Sequence, residues 1–166
     1  MEEFLDSVGE DTPAPGGGTS SAITTALAAA LVEMSARIGD ESSDSAGRAA
    51  ELRAEALKLA EQELTSYAPV LEAQTPADRT TALDGASEPP AQIAETAAEV
   101  AELGVRIAKS SSPAVRGDAL TGVILAEAAA AAAARLVSTN ITSGPVFDRA
   151  RSAAERAAEA RSSASG

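Results

Sequence analysis

Few side chains in this sequence can transfer a proton near neutral pH, because it contains no histidine and no cysteine. The remaining candidates are carboxylates, one tyrosine and the lysines. Glu63 and Tyr67 are four residues apart, a spacing that puts both side chains on one face of a helix. If that face meets the glycine-rich loop at residues 16–18, we predict that Glu63 is a catalytic acid or base and that Tyr67 binds the ligand. The alternative is a surface glutamate beside a core tyrosine.

Residues 13–19 read PAPGGGT, immediately before a long run of small apolar residues. Three glycines cost backbone entropy, and a helix that begins with bare backbone N–H groups can bind an anion. No Gly-Lys-Ser/Thr follows and no strand precedes, which argues against a Walker loop or a dinucleotide fingerprint. The alternative is a tight loop that lets two helices touch. The predicted ligand-binding residues of this segment are Pro15, Gly16, Gly17, Gly18 and Thr19.

Asp118 and Asn140 lie near the two ends of one predicted helix. Asp118 could be catalytic, by binding a ligand or orienting water. The alternative is that its negative charge interacts favourably with the helix dipole. Asn140 could bind the ligand or cap the helix. In a straight helix, Asp118 and Asn140 would lie roughly 33 Å apart along the axis. The two residues therefore cannot serve one site in one subunit, although a second subunit could bring its own copy near.

Basic residues could attract an anionic part of a ligand, and Arg79 and Arg116 are predicted to do so. Arg106, Lys109 and Arg116 stand around the same predicted helix junction, which makes this patch the best anion candidate after the glycines. The alternative for each of them is solvated surface charge.

The composition indicates an all-α protein. The 166 residues are 45% hydrophobic but only 2% aromatic, and most of the apolar residues are alanine, which favours helices over strands. We expect one domain, residues 1–166, forming a bundle of about five to six helices. Cores built mainly of alanine have few large side chains and often need a partner subunit to bury enough surface. We therefore expect a dimer.

Charge and residue types exclude several partners. The formal net charge of −12 argues against nucleic acid and anionic membrane surfaces as partners. Without histidine or cysteine no zinc site is expected, and we predict no metal. Residues 119–141 are apolar but contain Glu127 and Arg135, so we expect no membrane span. No secretion signal is recognisable, and we expect a cytoplasmic location.

Periodicity, prolines and caps predict the helix boundaries. The expected helical segments are 2–8, from Thr19 or Ser20 to Ile38, 45–73, 76–86, Pro89 to Lys109, Pro113 to Ile141 and 146–163. A polar turn is expected at 40–44, fraying at 162–166, and a kink or early end at Pro69. The predicted inward stripe of the second segment is Ile23, Leu27, Leu31, Met34 and Ile38, and the apolar positions of the third are Leu52, Leu59, Leu64, Tyr67 and Leu71.

Several of these residues and segments occur together in one sequence order. They are Phe4 and Leu5, PAPGGGT at 13–19, Met34, Glu63 with Tyr67, Arg79, ALDGASEPPAQIAE at 82–95, Asp118 and Asn140. Over roughly residues 4–142, this order resembles the cyclodeaminase/cyclohydrolase family. That family includes the C-terminal domain of formimidoyltransferase-cyclodeaminase and bacterial methenyltetrahydrofolate cyclohydrolases of the same fold.

The resemblance implies an all-helical homodimer that binds a reduced folate. It would open or close a one-carbon bridge between two nitrogens of tetrahydrofolate, with a tetrahydrofolate derivative as substrate and no other cofactor. The chain departs from the family in lacking histidine, which cyclodeaminases of this family are thought to use. Ser111 to Ala114 and Leu136 also stand where the family has asparagines. These departures favour a methenyltetrahydrofolate cyclohydrolase over a formimidotetrahydrofolate cyclodeaminase. The alternatives are a non-catalytic helical dimer that binds a folate-like or other small ligand, and action on another cyclic C–N substrate.

Overall fold

The computed structural model describes residues 2–39 and 43–164, and these form helices without any strand. The helices are α1 (Glu2–Gly9), α2 (Gly17–Ile38), α3 (Ser43–Ser66), α4 (Ala68–Glu72), α5 (Pro76–Ser110), α6 (Pro113–Asn140) and α7 (Pro145–Ala164). The all-α prediction is confirmed. The expected turn at 40–44 falls mostly on residues outside the described ranges. At the other end α7 continues through Ala164, and the last two residues of the expected frayed tail are also outside them.

Helices α2, α5 and α6 form the centre of the fold, with α3 against α2 and α5 and with α7 against α5 and α6. The buried core is mostly alanine, so the helix axes approach closely. Where α6 crosses α2, a Cβ added to Gly122 of α6 would lie 2.9 Å from Val32 Cγ2 and 3.0 Å from the Ala28 carbonyl oxygen of α2. This close packing places the start of α2 beside the end of α6.

The predicted inward stripe of α2 is wrong at three of its five positions, whereas Ile23 packs against the core and Leu31 is half-buried. Leu27, Met34 and Ile38 are 54%, 37% and 62% exposed. The helix instead buries its small residues, since only alanine-sized side chains fit between axes packed this closely. The buried apolar positions are Ala22, Ala26, Ala28, Ala29, Val32 and Ala36. We call Leu27, Leu31, Met34 and Ile38, of which Leu31 is half-buried and the other three are exposed, the α2 stripe.

The third predicted helix ends early, as Pro69 suggested. Helix α3 stops at Ser66, and α4 begins at Ala68 with the proline in its first turn, where a missing N–H costs no intrahelical bond. Leu52 and Leu59 are buried as expected. Leu64, Tyr67 and Leu71 are 47%, 38% and 62% exposed instead, and Val70 is the buried residue of α4.

The predicted break before Pro89 is wrong, because α5 runs unbroken from Pro76 to Ser110 with both prolines inside it. Each proline removes one helical hydrogen bond. Burial on both sides of that point offsets the loss, since Ala86, Ser87, Pro90 and Ala91 are all buried. The C-terminal half buries Ile93, Val100, Leu103 and Ile107 as predicted.

The predicted start of α2 at Thr19 or Ser20 is also wrong. Its N-cap is Gly16, which offers no side-chain cap, and the Ser20 N–H donates to the Gly16 carbonyl at 3.0 Å. Two of the three glycines therefore lie in the first turn of the helix. Ser112 and Pro113 begin α6 as predicted, and α6 ends at Asn140.

Two helices, α2 and α6, are long and apolar enough to cross a membrane by length and composition. In α2, 50% of the most apolar window is buried inside the protein, and in α6 the share is 39%. Core helices of soluble proteins pass the same test, so this is weak evidence for a membrane span.

Candidate functional site

A cavity of about 500 Å³ opens where the start of α2, the α3–α4 junction and the end of α6 meet. Its polar lining consists of Gly16, Gly17, Gly18, Thr19, Glu63, Ser66, Tyr67, Thr139 and Asn140. Its apolar lining includes Leu64, Leu71, Ala86, Pro90 and Leu136. Among the described residues, Glu63 is the one lining residue with an ionisable carboxyl group, and no lysine or arginine lines the cavity.

Glu63 lies directly against the glycine segment. A Cβ added to Gly18 would overlap the Oε2 and Cδ atoms of Glu63 and would lie 3.0 Å from its Cγ. No side chain fits at position 18 while Glu63 keeps this place. The carboxyl group of the protein itself therefore occupies part of the space at the glycines in which an anionic ligand was expected.

The Glu63 carboxyl group is poorly solvated. Its Oε1 atom is buried and has no hydrogen-bond partner among the described residues. Burial raises the pKa of Glu63 to about 7, because desolvation disfavours the charged form. A group with such a pKa is present in both protonation states near neutral pH, as a general acid or base must be.

The first turn of α2 adds hydrogen-bond donors to the same place. In any α-helix the first N–H groups lack an intrahelical acceptor, and here they belong to Gly17, Gly18 and Thr19, which all line the cavity. The start of the helix also carries partial positive charge. The cavity thus combines backbone donors with one carboxyl group of raised pKa.

Helix α6 closes the other side of the cavity. Leu136 and Asn140 are one turn apart and both line it, together with Thr139. Leu136 packs on the glycines, since a Cβ added to Gly17 would lie 3.5 Å from Leu136 Cδ2. An isobutyl group therefore covers part of the α2 N-terminus.

The structure brings together most of the sequence-predicted site residues. The ones that line the cavity are Gly16, Gly17, Gly18, Thr19, Glu63, Tyr67 and Asn140. Pro15 is not among the lining residues and follows a cis peptide bond. Sequence reasoning missed Ser66, Leu64 and Leu71, although their positions near Glu63 and Tyr67 on the same chain segment could have indicated them.

Asp118, Arg116 and Arg79 do not line the cavity. Asp118 and Arg116 are exposed residues in the first turns of α6, at the end of the helix opposite to Asn140. Arg79 belongs to the start of α5, where its Nη1 donates to the Val70 carbonyl at 3.3 Å and joins α5 to α4. Asp118 and Asn140 belong to one continuous helix, and they lie near its opposite ends.

Within the described residues, no group of three or more histidine, cysteine, aspartate or glutamate side chains could hold a metal ion. The residues that line the cavity supply groups for proton transfer, hydrogen bonding and apolar contact.

Residues 1–159 match the family model described as formiminotransferase-cyclodeaminase. The fold is similar to the crystal structure of a formiminotetrahydrofolate cyclodeaminase from Thermotoga maritima, with a TM-score of 0.81 and 21% sequence identity. The similarity covers 100% of this chain and 90% of the other. No curated protein matches the chain.

Proposed function

Because the chain belongs to the formiminotransferase-cyclodeaminase family, we propose that it is an enzyme acting on the one-carbon bridge between two nitrogens of a tetrahydrofolate derivative. The observation that carries this proposal is Glu63, a carboxyl group with a pKa of about 7 in a cavity otherwise lined by uncharged side chains. We propose that the one-carbon unit binds against this carboxyl group, and that Tyr67 and Asn140 bind other parts of the same ligand.

The reaction that we favour is hydrolysis of a 5,10-methenyl bridge, whose carbon belongs to a positively charged amidinium. Ionised Glu63 accepts a proton from water while the water oxygen bonds to that carbon, which gives a neutral carbinolamine. Glu63 then returns the proton to one nitrogen, the bond between this nitrogen and the carbon breaks, and the hydroxyl proton leaves to solvent. The other nitrogen keeps a formyl group, so the reaction consumes one water and releases one proton.

The start of α2 supplies a second contribution in this proposal. Oxygen attached to the bridging carbon gains negative charge as its proton leaves. The N–H groups of Gly17 and Gly18, which line the cavity, are suited to donate hydrogen bonds to it. Fixed donors of this kind stabilise developing charge without reorganisation.

Cyclodeamination of a formimido group is the second reaction of this class. One nitrogen would attack the carbon of the protonated formimido group, the proton of the attacking nitrogen would pass to the amino group formed there, and ammonia would leave to give the cationic methenyl bridge. Glu63 could carry that proton, but the absence of histidine from the sequence makes us favour hydrolysis. Release of ammonia from formimidotetrahydrofolate would identify this reaction instead.

A homodimer is part of the proposal, and its support is the α2 stripe. The exposed apolar residues Leu27, Met34 and Ile38, with Leu31 between them, alternate in steps of four and three. This spacing is typical of helices that pair along a seam. Ile124 of α6 adds a further apolar side chain that is 44% exposed. A second copy of the chain would cover these residues, and it is also what Asp118 would need to take part in catalysis.

The test is the loss of 5,10-methenyltetrahydrofolate absorbance with purified protein, compared with buffer. We expect Glu63→Gln to abolish the enzyme-dependent rate and Glu61→Gln to leave it unchanged, since Glu61 is an exposed glutamate of the same helix. Asp118→Ala tests the sequence prediction separately. A rate that falls only with Asp118→Ala would move the site to a subunit boundary.

A rate equal to that of buffer at high protein concentration would reject the proposed activity. The remaining hypothesis would then be that the protein is a non-catalytic helical dimer that binds a small ligand. The apolar walls of the cavity and the position of Asp118 outside it favour that alternative.

A further inference from the structure

Helix α1 contains three large apolar residues, Phe4, Leu5 and Val8, but none of its residues is fully buried. Phe4 and Val8 are half-buried and Leu5 is 61% exposed. An isolated helix of eight residues is only marginally stable in water, so α1 needs a surface to pack on. We call residues 2–11 the acidic arm, because they carry Glu2, Glu3, Asp6, Glu10 and Asp11.

A surface of opposite charge is present elsewhere on the molecule. Arg106 and Lys109 in the last turns of α5 and Arg116 in the first turn of α6 are exposed. None of the three forms a salt bridge within the described part of the chain. We call these three residues the basic cluster. Asp118 adds one negative charge nearby and Glu99 interacts electrostatically with Arg106. The three positive charges of the cluster therefore outnumber these two negative ones, in a protein whose formal net charge is −12.

The basic cluster lies at the opposite end of the bundle from the start of α2. Gly17 is next to Leu136 near the end of α6, whereas Val32 is next to Gly104 of α5 and Gly122 of α6. Helix α2 therefore runs alongside α5 and against the direction of α6. Its last residue, Ile38, lies at the same end as the α5–α6 junction.

The arm of a chain is poorly placed to reach the basic cluster of that same chain. Helix α2 has 22 residues and is roughly 33 Å long. Pro13 and Ala14 of the connecting segment line the cavity at the start of α2, so only residues 2–12 extend away from that end of the bundle. Residues 10–12 span about 10 Å at most and α1 about 12 Å. The arm is therefore too short to reach the far end of α2.

A second copy removes the difficulty. If two α2 stripes pair antiparallel across a twofold axis, Leu27 of each α2 lies beside Ile38 of the other. The start of each α2 then lies about 15 Å beyond that end of the second copy, a distance over which the arm can reach back to the neighbouring basic cluster. We propose that the acidic arm of each protomer docks on the basic cluster of a second copy of this chain. This inference depends on the homodimer proposed above, and it adds an exchange of N-terminal arms to it.

The docked arm would also affect the cavity. The segment that joins α1 to α2 contains Pro13, Ala14 and Gly16, and all three line the cavity. An arm held by the second copy fixes both ends of this segment. Dimer formation and the shape of the cavity rim would then be linked.

The experiment is a charge-reversal series on the full chain, with the dimer dissociation constant measured by sedimentation at low salt. The arm variant is Glu2→Lys/Glu3→Lys/Asp6→Lys, and the cluster variant is Arg106→Glu/Lys109→Glu/Arg116→Glu. We expect each to raise the dissociation constant about tenfold or more, because like charges then face each other. Combining both sets should restore tight association.

Lys58→Glu is the control, since Lys58 is an exposed basic residue of α3 away from the stripe, and it should leave the constant unchanged. Circular dichroism of each variant checks that the exposed substitutions preserve the helices. A wild-type chain that sediments as a monomer would overturn both the dimer and the arm exchange. A dimer insensitive to the reversals, or one that the combined variant does not restore, would overturn the arm exchange alone.

Discussion

The carboxyl group of Glu63 occupies the space that a side chain at position 18 would need, so α3 can approach the start of α2 only because Gly18 has no Cβ. The three glycines therefore have different roles. Gly16 is the N-cap of α2, and Gly17 lies under Leu136 with room for an ordinary contact. Gly18 is the position that no other residue can fill while Glu63 keeps its place.

Gly18→Ala should destabilise the protein by about 1–3 kcal/mol, as overpacking of a close contact does, and should displace Glu63 and abolish turnover. Adding Glu63→Ala should recover the stability but not the activity, because the added methyl group then has space. Gly47→Ala is the matched control, since a Cβ there meets nothing within 4 Å; it should stabilise α3 by about 0.5–1 kcal/mol. Urea unfolding of the wild type and these three variants measures the changes, and a neutral Gly18→Ala would contradict the prediction.

Stability should fall as the pH rises through the titration range of Glu63. The pKa of Glu63 is about 7 in the folded chain against 4.5 for an ordinary glutamate, so between these values the folded state binds more protons than the unfolded state. Its contribution is therefore most favourable below about pH 4.5, declines as the pH rises and is lost above about pH 7. Urea midpoints at several pH values should show this decline reduced in Glu63→Gln. Equal slopes in both proteins would mean that Glu63 does not titrate in this range.

The proposed hydrolysis should need ionised Glu63. After subtraction of the buffer rate, turnover should rise with pH and level off above about pH 7, because the base is fully ionised there. Glu63→Gln should remove the inflection, and Glu61→Gln should preserve it. An inflection that survives in Glu63→Gln would assign the base to another residue.

The contact of α2 with α6 should tolerate no added methyl group. Gly122→Ala would place a Cβ 3.0 Å from the Ala28 carbonyl oxygen, a backbone atom that cannot move alone. We expect a loss of about 1–3 kcal/mol. Gly117→Ala in the same helix meets nothing within 4 Å and should be neutral or stabilising. The measurement is thermal unfolding of both variants. Equal melting temperatures of Gly122→Ala and Gly117→Ala would contradict the close packing of α2 with α6.

The all-α class and most helix ends could be predicted from the sequence, because alanine content, caps and prolines act locally. The orientation of α2 could not. A hydrophobicity pattern places Leu27 and Met34 inward, but which face of a helix is buried depends on how closely its neighbours approach. Likewise, the prolines at 89 and 90 predict a helix start from local rules, whereas buried contacts on both sides of α5 override those rules.

The candidate site was partly predictable for a similar reason. Glu63 and Tyr67 could be placed on one face by their spacing, and the glycines marked a close approach. That Glu63 itself makes this approach depends on how α3 packs against α2, which no local pattern encodes. The separation of Asp118 from Asn140 followed directly from helix length.

Gly17 and Leu136 touch across the cavity although they come from opposite parts of the sequence. The chain must therefore close a loop over most of its length before this pocket exists, and the entropy of closing that loop is lost before the contact stabilises anything. Ligand binding should report on cooperative folding of the whole chain. No local segment, including the glycine turn itself, should retain affinity after the C-terminal half of α6 has separated from the start of α2.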